Sequence, residues 1–518
     1  MKLLCFNKSV SKCVSLIFNI LFLSFFSINL YAYVLSGTIF EDANLNYRFD
    51  TGEKGIPNVG VSNGKTIVLT DKNGRYSIEL NSEDIVFVIK PAEYNFFVDK
   101  NTNKPLFYHI IKENEGFGSN IGDKNFPLVK SQSTDNFSTI ILGDIQVRND
   151  EEINFTRDAL LPALNSSEAT LVLTLGDNAF DNLDVYPRLT GILGQARKTM
   201  YYLPGNHDTN DKLEGPLSHY EIYNQFFGPD YYAFNYGKVH FVVLNDVKWE
   251  SGKYHGELGH KQLTWLGEDL KYVNKDNLIV LAMHIPLISW SDRNNPQHHV
   301  NDRDELFKLL SGFDRVLSLA GHTHTLEKLY PDDKINGWEN GLAFPQIIAG
   351  AVCGSWWGGE KGESGVPFSY MKDGTPKGYF TFNFSGNKYE EKYISLDKSK
   401  DFQMDITLTD DSGKGIDNII EKSETRNVKV AANVFNGDML SDVVISFDGD
   451  AYSKMDRTPL IDPFLNERLS GGTIPVESTH IWLSSLPASL DTGAHTIRVK
   501  FVDKYGNKYV NSKVFEIK

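Results

Sequence analysis

Several short apolar runs in the middle of this chain lead into polar clusters, and this arrangement restricts the fold more than any other feature. In order, the clusters are Gly143-Asp144-Ile145-Gln146, Gly176-Asp177-Asn178, Gly205-Asn206-His207-Asp208, His284 and Gly321-His322-Thr323-His324. The runs at 138–142, 170–175, 277–283 and 315–320 read as buried strands, and 151–164 and 261–274 carry the helical period. Such alternation over 135–397 predicts an α/β domain, in which functional groups gather beyond the carboxyl ends of the strands.

On either side the period changes to that of short strands. At 518 residues the chain exceeds a single hydrophobic core and predicts roughly three or four folding units. Residues 33–130 alternate β-type runs with turns, and 65–70, Asp71-Lys72-Asn73-Gly74 and 75–80 read as a hairpin inside a small β-sandwich. This stretch resembles the prealbumin-like modules that precede secreted enzymes. Residues 398–518 return to β alternation at 428–434 and 495–502, with a turn at Asp503–Gly506, and predict a second, C-terminal sandwich.

Residues 1–32 read as a signal peptide: Lys2, Lys8 and Lys12 precede an apolar run that ends in Leu30-Tyr31-Ala32. Export to the periplasm, the cell surface or the medium is the expectation, with no stable membrane span after cleavage. A retained anchor is the alternative. Without the three leader lysines the formal charge of −15 becomes −18, which argues against nucleic acid as a partner, because phosphate backbones need a basic footprint. Cys5 and Cys13 leave with the leader, so the mature chain would keep Cys353 alone and form no internal disulfide.

Within the first module, Asp42, Asn44, Asn46, Arg48 (through its carbonyl), Asp50 and Glu53 have the spacing of a calcium loop. Tyr47 stands where such loops carry glycine, and no flanking helices are visible, so an EF-hand pair is not implied.

Taken together, the five polar clusters resemble the calcineurin-like metallophosphoesterase pattern: Asp-x-His, Gly-Asp, Gly-Asn-His-Asp/Glu, His and Gly-His-x-His. The resemblance covers 135–397 and implies a central double β-sheet flanked by helices. Gln262-Leu263-Thr264-Trp265-Leu266 and Asp373–Tyr379 also look like exported members with N- and C-terminal modules. By resemblance, Asp177 bridges two divalent cations, with Asp144, Gln146 and His324 at one and Asn206, His284 and His322 at the other. Two cations held roughly 3.5–4 Å apart can activate a water and stabilise both ends of an in-line displacement at phosphorus. Mixed oxygen and imidazole donors suit Mn, Fe or Zn. The family most often has histidine where this chain has Gln146, and a neutral, harder amide oxygen biases that site toward Mn or Mg.

The same resemblance makes His207 the general acid that protonates the leaving alkoxide. Asp208 and Asp181 are both candidates to orient its imidazole. Asn178 is a candidate phosphate contact, and Trp356 and Trp357, on the glycine-rich stretch 354–359, are candidate walls of the substrate cleft. The implied activity is hydrolysis of phosphate mono- or diesters, small or on a phosphorylated macromolecule. The competing expectation is a catalytically weak surface-binding protein that keeps the fold.

Overall fold

The computed structural model describes residues 33–80, 85–111, 123–132, 135–210, 219–469 and 473–518; the expected leader at 1–32 lies outside them. Residues 33–130 form two small sheets. Tyr33–Glu41 pairs antiparallel with Arg75–Leu80 and parallel with Phe126–Lys130. Gly60–Ser62 pairs with Ile67–Leu69 and Ile85–Val88 in the second sheet. The expected hairpin is therefore corrected: its two strands belong to different sheets. Arg75–Leu80 finds a full-length partner in Tyr33–Thr38, and Tyr76, Ile78 and Leu80 are buried in alternation. The Asp71 carboxylate accepts the N–H groups of Asn73 and Arg75 and closes the turn that carries the chain from one sheet to the other.

The centre is a double sheet. One sheet runs Thr199–Tyr201, Leu171–Thr174, Asn136–Leu142, Gly378–Ser385, Lys388–Ser395; the other runs Tyr232–Tyr236, Val239–Val243, Leu278–Ala282, Val316–Ala320, Gln346–Ala349, Leu326–Leu329. The alternation of a β-strand, two residues per repeat, splits the burial. Ile141 and Leu173 belong to the core that includes Phe241 and Val280 of the facing sheet. Ile140, Leu142 and Val172 join Leu160, Leu189 and Leu193 on the helical side. Each such side chain contributes about 1.5–3 kcal/mol on leaving water. This is the expected α/β centre with helices outside and all-β regions at both ends.

The helix expected at 151–164 is a run from Asp150 to Asn165, widened to a π turn at Thr156–Leu160. Pro162 follows that turn and has no N–H to offer the ladder. Gly259–Asp269 ends sooner than expected, tightening to a 3₁₀ turn at Leu270–Tyr272.

The described residues between 404 and 517 form a further pair of sheets, each of five strands, with Gly493–Val502 and Lys508–Ile517 paired over ten residues. This sandwich is tied to the centre by buried charge. The Lys328 amine lies 2.8 Å from Glu391 and 3.0 Å from Asp438, and Lys504 lies 2.9 Å from Glu391. At the other end, the Trp265 indole donates to Ser62 (3.0 Å) and the Lys90 amine to the Asn235 carbonyl (2.7 Å).

Candidate metal centre

The parallel strands Asn136–Leu142 and Leu171–Thr174 end side by side, as do Leu278–Ala282 and Val316–Ala320. The chain must turn sharply where each strand stops. Asp144 (φ 38°), Gln146 (φ 50°), Asp177 (φ 48°), His322 (φ 72°) and His324 (φ 54°) all adopt left-handed backbone there. Non-glycine residues in that region carry strain, which the surrounding structure must hold in place. The motif glycines make room for the ligands: a Cβ on Gly205 would lie 2.1 Å from Asp177 Oδ1, and one on Gly321 2.5 Å from Asp144 Oδ2.

Asp177, His284 and His322 place one ligand atom each within 4.8 Å of one another. His284 Nε2 is 3.4 Å from Asp177 Oδ2, 3.0 Å from Asn206 Oδ1 and 3.2 Å from His322 Nδ1. His284 Nδ1 meets the Leu175 carbonyl at 2.8 Å, which sets Nε2 facing the cluster. On the other side, His324 Nε2 lies 3.5 Å from Asp144 Oδ1, and His324 Nδ1 meets the Gly354 carbonyl at 2.7 Å. Nitrogen and oxygen lone pairs thus converge, and His322 Nε2 is buried with no hydrogen-bond partner. Such crowding of donor atoms fits divalent cations.

Gln146 joins this group with its amide reversed from the expected sense: Nε2 donates to Asp177 Oδ2 at 3.0 Å, and Oε1 faces the Cys353 thiol. Ligation through oxygen requires the amide to flip. Asp181, and not Asp208, meets the His207 imidazole, at 2.7 Å. Phe180 stacks on that ring with centroids 4.3 Å apart. Asp208 is corrected to a framing residue. It is fully buried and accepts from the Asn178 and Ala179 N–H groups, the Gly205 N–H, the Asn178 amide and the Tyr186 hydroxyl.

Asn178, the candidate phosphate contact, turns its amide inward and donates to the Leu203 carbonyl and Asp208. Trp357 is a core residue that donates to the Ile145 carbonyl and packs on Phe155. Trp356 lies 5.0 Å from the His324 ring and borders an open cleft.

Comparison with known proteins follows the same division of the chain. A family model described as calcineurin-like phosphoesterase matches residues 137–326. Those described as its N terminal and C terminal match 43–130 and 347–509. This chain belongs to the calcineurin-like phosphoesterase family. A search of curated proteins gives no match. Among solved structures, a purple acid phosphatase from yellow lupin (Lupinus luteus) seeds aligns at 12% identity over 70% of this chain and 67% of that one, with a TM-score of 0.37. Vps29 from Chaetomium thermophilum aligns at 10% identity over 73% of this chain and 98% of that one, with a TM-score of 0.21.

The electrostatics of the phosphoesterase centre follow from packing acids against imidazoles. Burial alone would raise the Asp177 pKa, but the neighbouring His284 and His207 outweigh it and hold the carboxyl near 2. Burial opposes a charge on His284, yet Asp177 and Asp144 lift it to about 10. His207 is raised as well, because Asp177 and Asp181 overcome its burial. His322 moves the other way, pushed well below the usual range by burial and by His284.

Several residues of this phosphoesterase support the centre from outside the five polar clusters. Buried Asp246 accepts the N–H groups of His284 and Ile285, and burial lifts its carboxyl to about 7. Gln262 fixes the preceding residue, accepting from the Asn245 N–H and donating to the Asn245 carbonyl. Asp373 receives the Leu326 N–H at 2.6 Å, and the Lys372 N–H donates to the His324 carbonyl, so the 373–379 phrase braces the ligand loop. Gln262 and Asp373 open the two phrases set apart by resemblance in the sequence, whereas nothing there marked Asp246.

The loop from Asp42 to Glu53 folds on its own oxygens. Asp42 Oδ2 accepts the Tyr47 N–H, Asp50 Oδ2 accepts both the Asn44 and Asn46 amides, and Glu53 accepts from Ala43 and Asp50. Asn46 Oδ1 accepts the Arg48 N–H. Tyr47 itself takes the left-handed conformation (φ 67°) that glycine usually supplies.

Proposed function

We propose that this chain is an exported phosphoesterase acting on phosphate mono- or diesters at a dinuclear centre. Asp177 would be shared between Asp144, Gln146 and His324 on one side and Asn206, His284 and His322 on the other. The convergence of Asp177, His284 and His322 carries the reading, because unpaired lone pairs are costly to bury without a cation. Bound Mn, Fe or Zn, or Mg beside Gln146, would supply Lewis-acid chemistry to water and phosphate. The chain's own residues do the rest. Asp181 fixes the imidazole of His207 from Nδ1, leaving Nε2 to hand a proton to the departing alkoxide. Phe180 stacks on that ring and helps to hold it in place.

Purified protein is expected to hydrolyse p-nitrophenyl phosphate or its bis ester with added Mn. No turnover with any divalent metal would overturn the proposal. The reversed Gln146 amide favours a second reading, a weakly active binding protein; fewer than two ions per chain, unchanged by Gln146→His, would support it. Export is part of the proposal and is tested by N-terminal sequencing of the mature protein for cleavage after Ala32. Calcium in the loop 42–53 is proposed too; titration calorimetry showing no heat with calcium would remove it.

A further inference from the structure

A cleft of about 530 Å³ opens beside the ligand loop, a size that holds a group well beyond a phosphate. Its walls come from five separate stretches of sequence. Thr323 and Thr325 flank His324, Trp356 lies against the His324 ring, and Asp292 and Lys372 line it further out. Ile474 belongs to the C-terminal region and is 78% exposed at the rim. Its neighbour Val476 is tied by its N–H to the Lys372 carbonyl at 2.9 Å. Asp292 connects the cleft to the other side of the centre through His298 (2.8 Å), whose ring lies 4.6 Å from that of His322.

The polar groups of this cleft are only partly matched. Among the described residues no hydrogen bond or ion pair reaches the Lys372 amine, which sits 5.1 Å from the centre of the Trp356 ring. The Trp356 indole N–H is buried with no acceptor. Asp292 uses Oδ2 on His298 and keeps a second carboxylate oxygen. The Lys372 amine and an Asp292 oxygen therefore belong to residues that line one space, and their opposite charges offset each other. A second anion is not called for. A hydroxyl both donates and accepts, so a polyhydroxylated group meets both, whereas an alkyl chain leaves them unpaired.

We infer that this cleft is the subsite for the alcohol portion of the ester and selects a sugar or polyol phosphate, read in part by the C-terminal region. The inference rests on the phosphoesterase reading above. Glucose 6-phosphate and n-hexyl phosphate present similar primary alcohols as leaving groups and differ in the hydroxyls. With Mn-loaded full-length protein, kcat/KM for the sugar ester should exceed that for the alkyl ester by about tenfold or more, since a site built around hydroxyls rejects analogues that lack them. Lys372→Met and Asp292→Ala, which remove the donor and the acceptor of the cleft in turn, should each collapse that ratio mainly through KM. A thermal-shift titration of the metal-free variants with glucose 6-phosphate reads binding apart from turnover and should show a weaker shift than wild type.

Equal kcat/KM for the two esters, a ratio that neither substitution moves, or a preference for adenosine monophosphate over both would overturn the inference. Turnover of p-nitrophenyl phosphate under those outcomes would leave the phosphoesterase reading standing. No turnover of any ester would remove both.

Discussion

Asp208 adjoins His207 in sequence and Asp181 meets it from 26 residues upstream, and the structure gives them opposite consequences when lost. Asp208→Ala removes one acceptor from five donors: two backbone N–H groups in the Asn178-Ala179 turn, the Gly205 N–H, the Asn178 amide and the Tyr186 hydroxyl. An unsatisfied buried donor costs about 1–3 kcal/mol, and water entering the vacated space recovers part of the sum, so a net loss of about 4 kcal/mol is expected. For a domain of this size that lowers Tm by about 8–16 °C. Asp181 has a side chain 58% exposed, so its ion pair with His207 adds less than about 1 kcal/mol to stability. Its loss frees the imidazole to rotate, and kcat should fall about tenfold to a hundredfold with Tm held within about 3 °C. Differential scanning calorimetry and p-nitrophenyl phosphate kinetics on the two variants decide the matter. An Asp208→Ala protein of native Tm, or an Asp181→Ala protein that melts early and keeps its kcat, would refute the assignment.

Removing the acid itself, His207→Ala, should lower kcat about 10²–10⁴-fold on alkyl esters and less on p-nitrophenyl esters, whose leaving group needs no proton; a similar loss on both would argue against the role. Because Asp181 helps to raise the His207 pKa, the alkaline limb of the pH–rate profile should shift to lower pH in Asp181→Ala. Gly205→Ala drives a methyl group into Asp177, and metal analysis should find fewer ions per chain than in wild type. Glu391 and Asp438 are buried, yet Lys328 holds both below the usual carboxylate range. Their contribution is therefore present at neutral pH and lost as pH falls below about 4 through the folded-state pKa. Lys328→Met leaves two buried acids short of a partner, costs about 3–5 kcal/mol at pH 7, and should reverse the acid trend so that Tm rises between pH 7 and 5.

The polar clusters that converge at the centre were legible because rare residue types follow apolar strands there, and Gly205 and Gly321 leave no Cβ to press on the carboxylates of Asp177 and Asp144. The double sheet was legible for a related reason: strands buried on both faces read as unbroken apolar runs. Strand partners were not. The turn at Asp71–Gly74 satisfies local geometry equally well whether the chain returns beside itself or crosses to another sheet, and only the pairing of Arg75–Leu80 with Tyr33–Thr38 decides it. Residues that act by holding others were hidden as well. Asp246, Lys372 and Asp292 reach the centre from loops whose proximity is a property of the folded chain. Asp181 and Asp208 differ by which way a side chain points, which spacing does not encode.

Strand Leu326–Leu329 starts two residues after His324 and carries Lys328, whose charge is neutralised partly by Asp438 in the last quarter of the chain. Excising the terminal sandwich at residue 397 would strip that counter-ion and the companion Lys504 and uncover a face of the centre that is buried in the intact chain. The expected product is an insoluble or loosely packed fragment. Swapping in a foreign tail would succeed only if it brought an acid and an amine to the same spot.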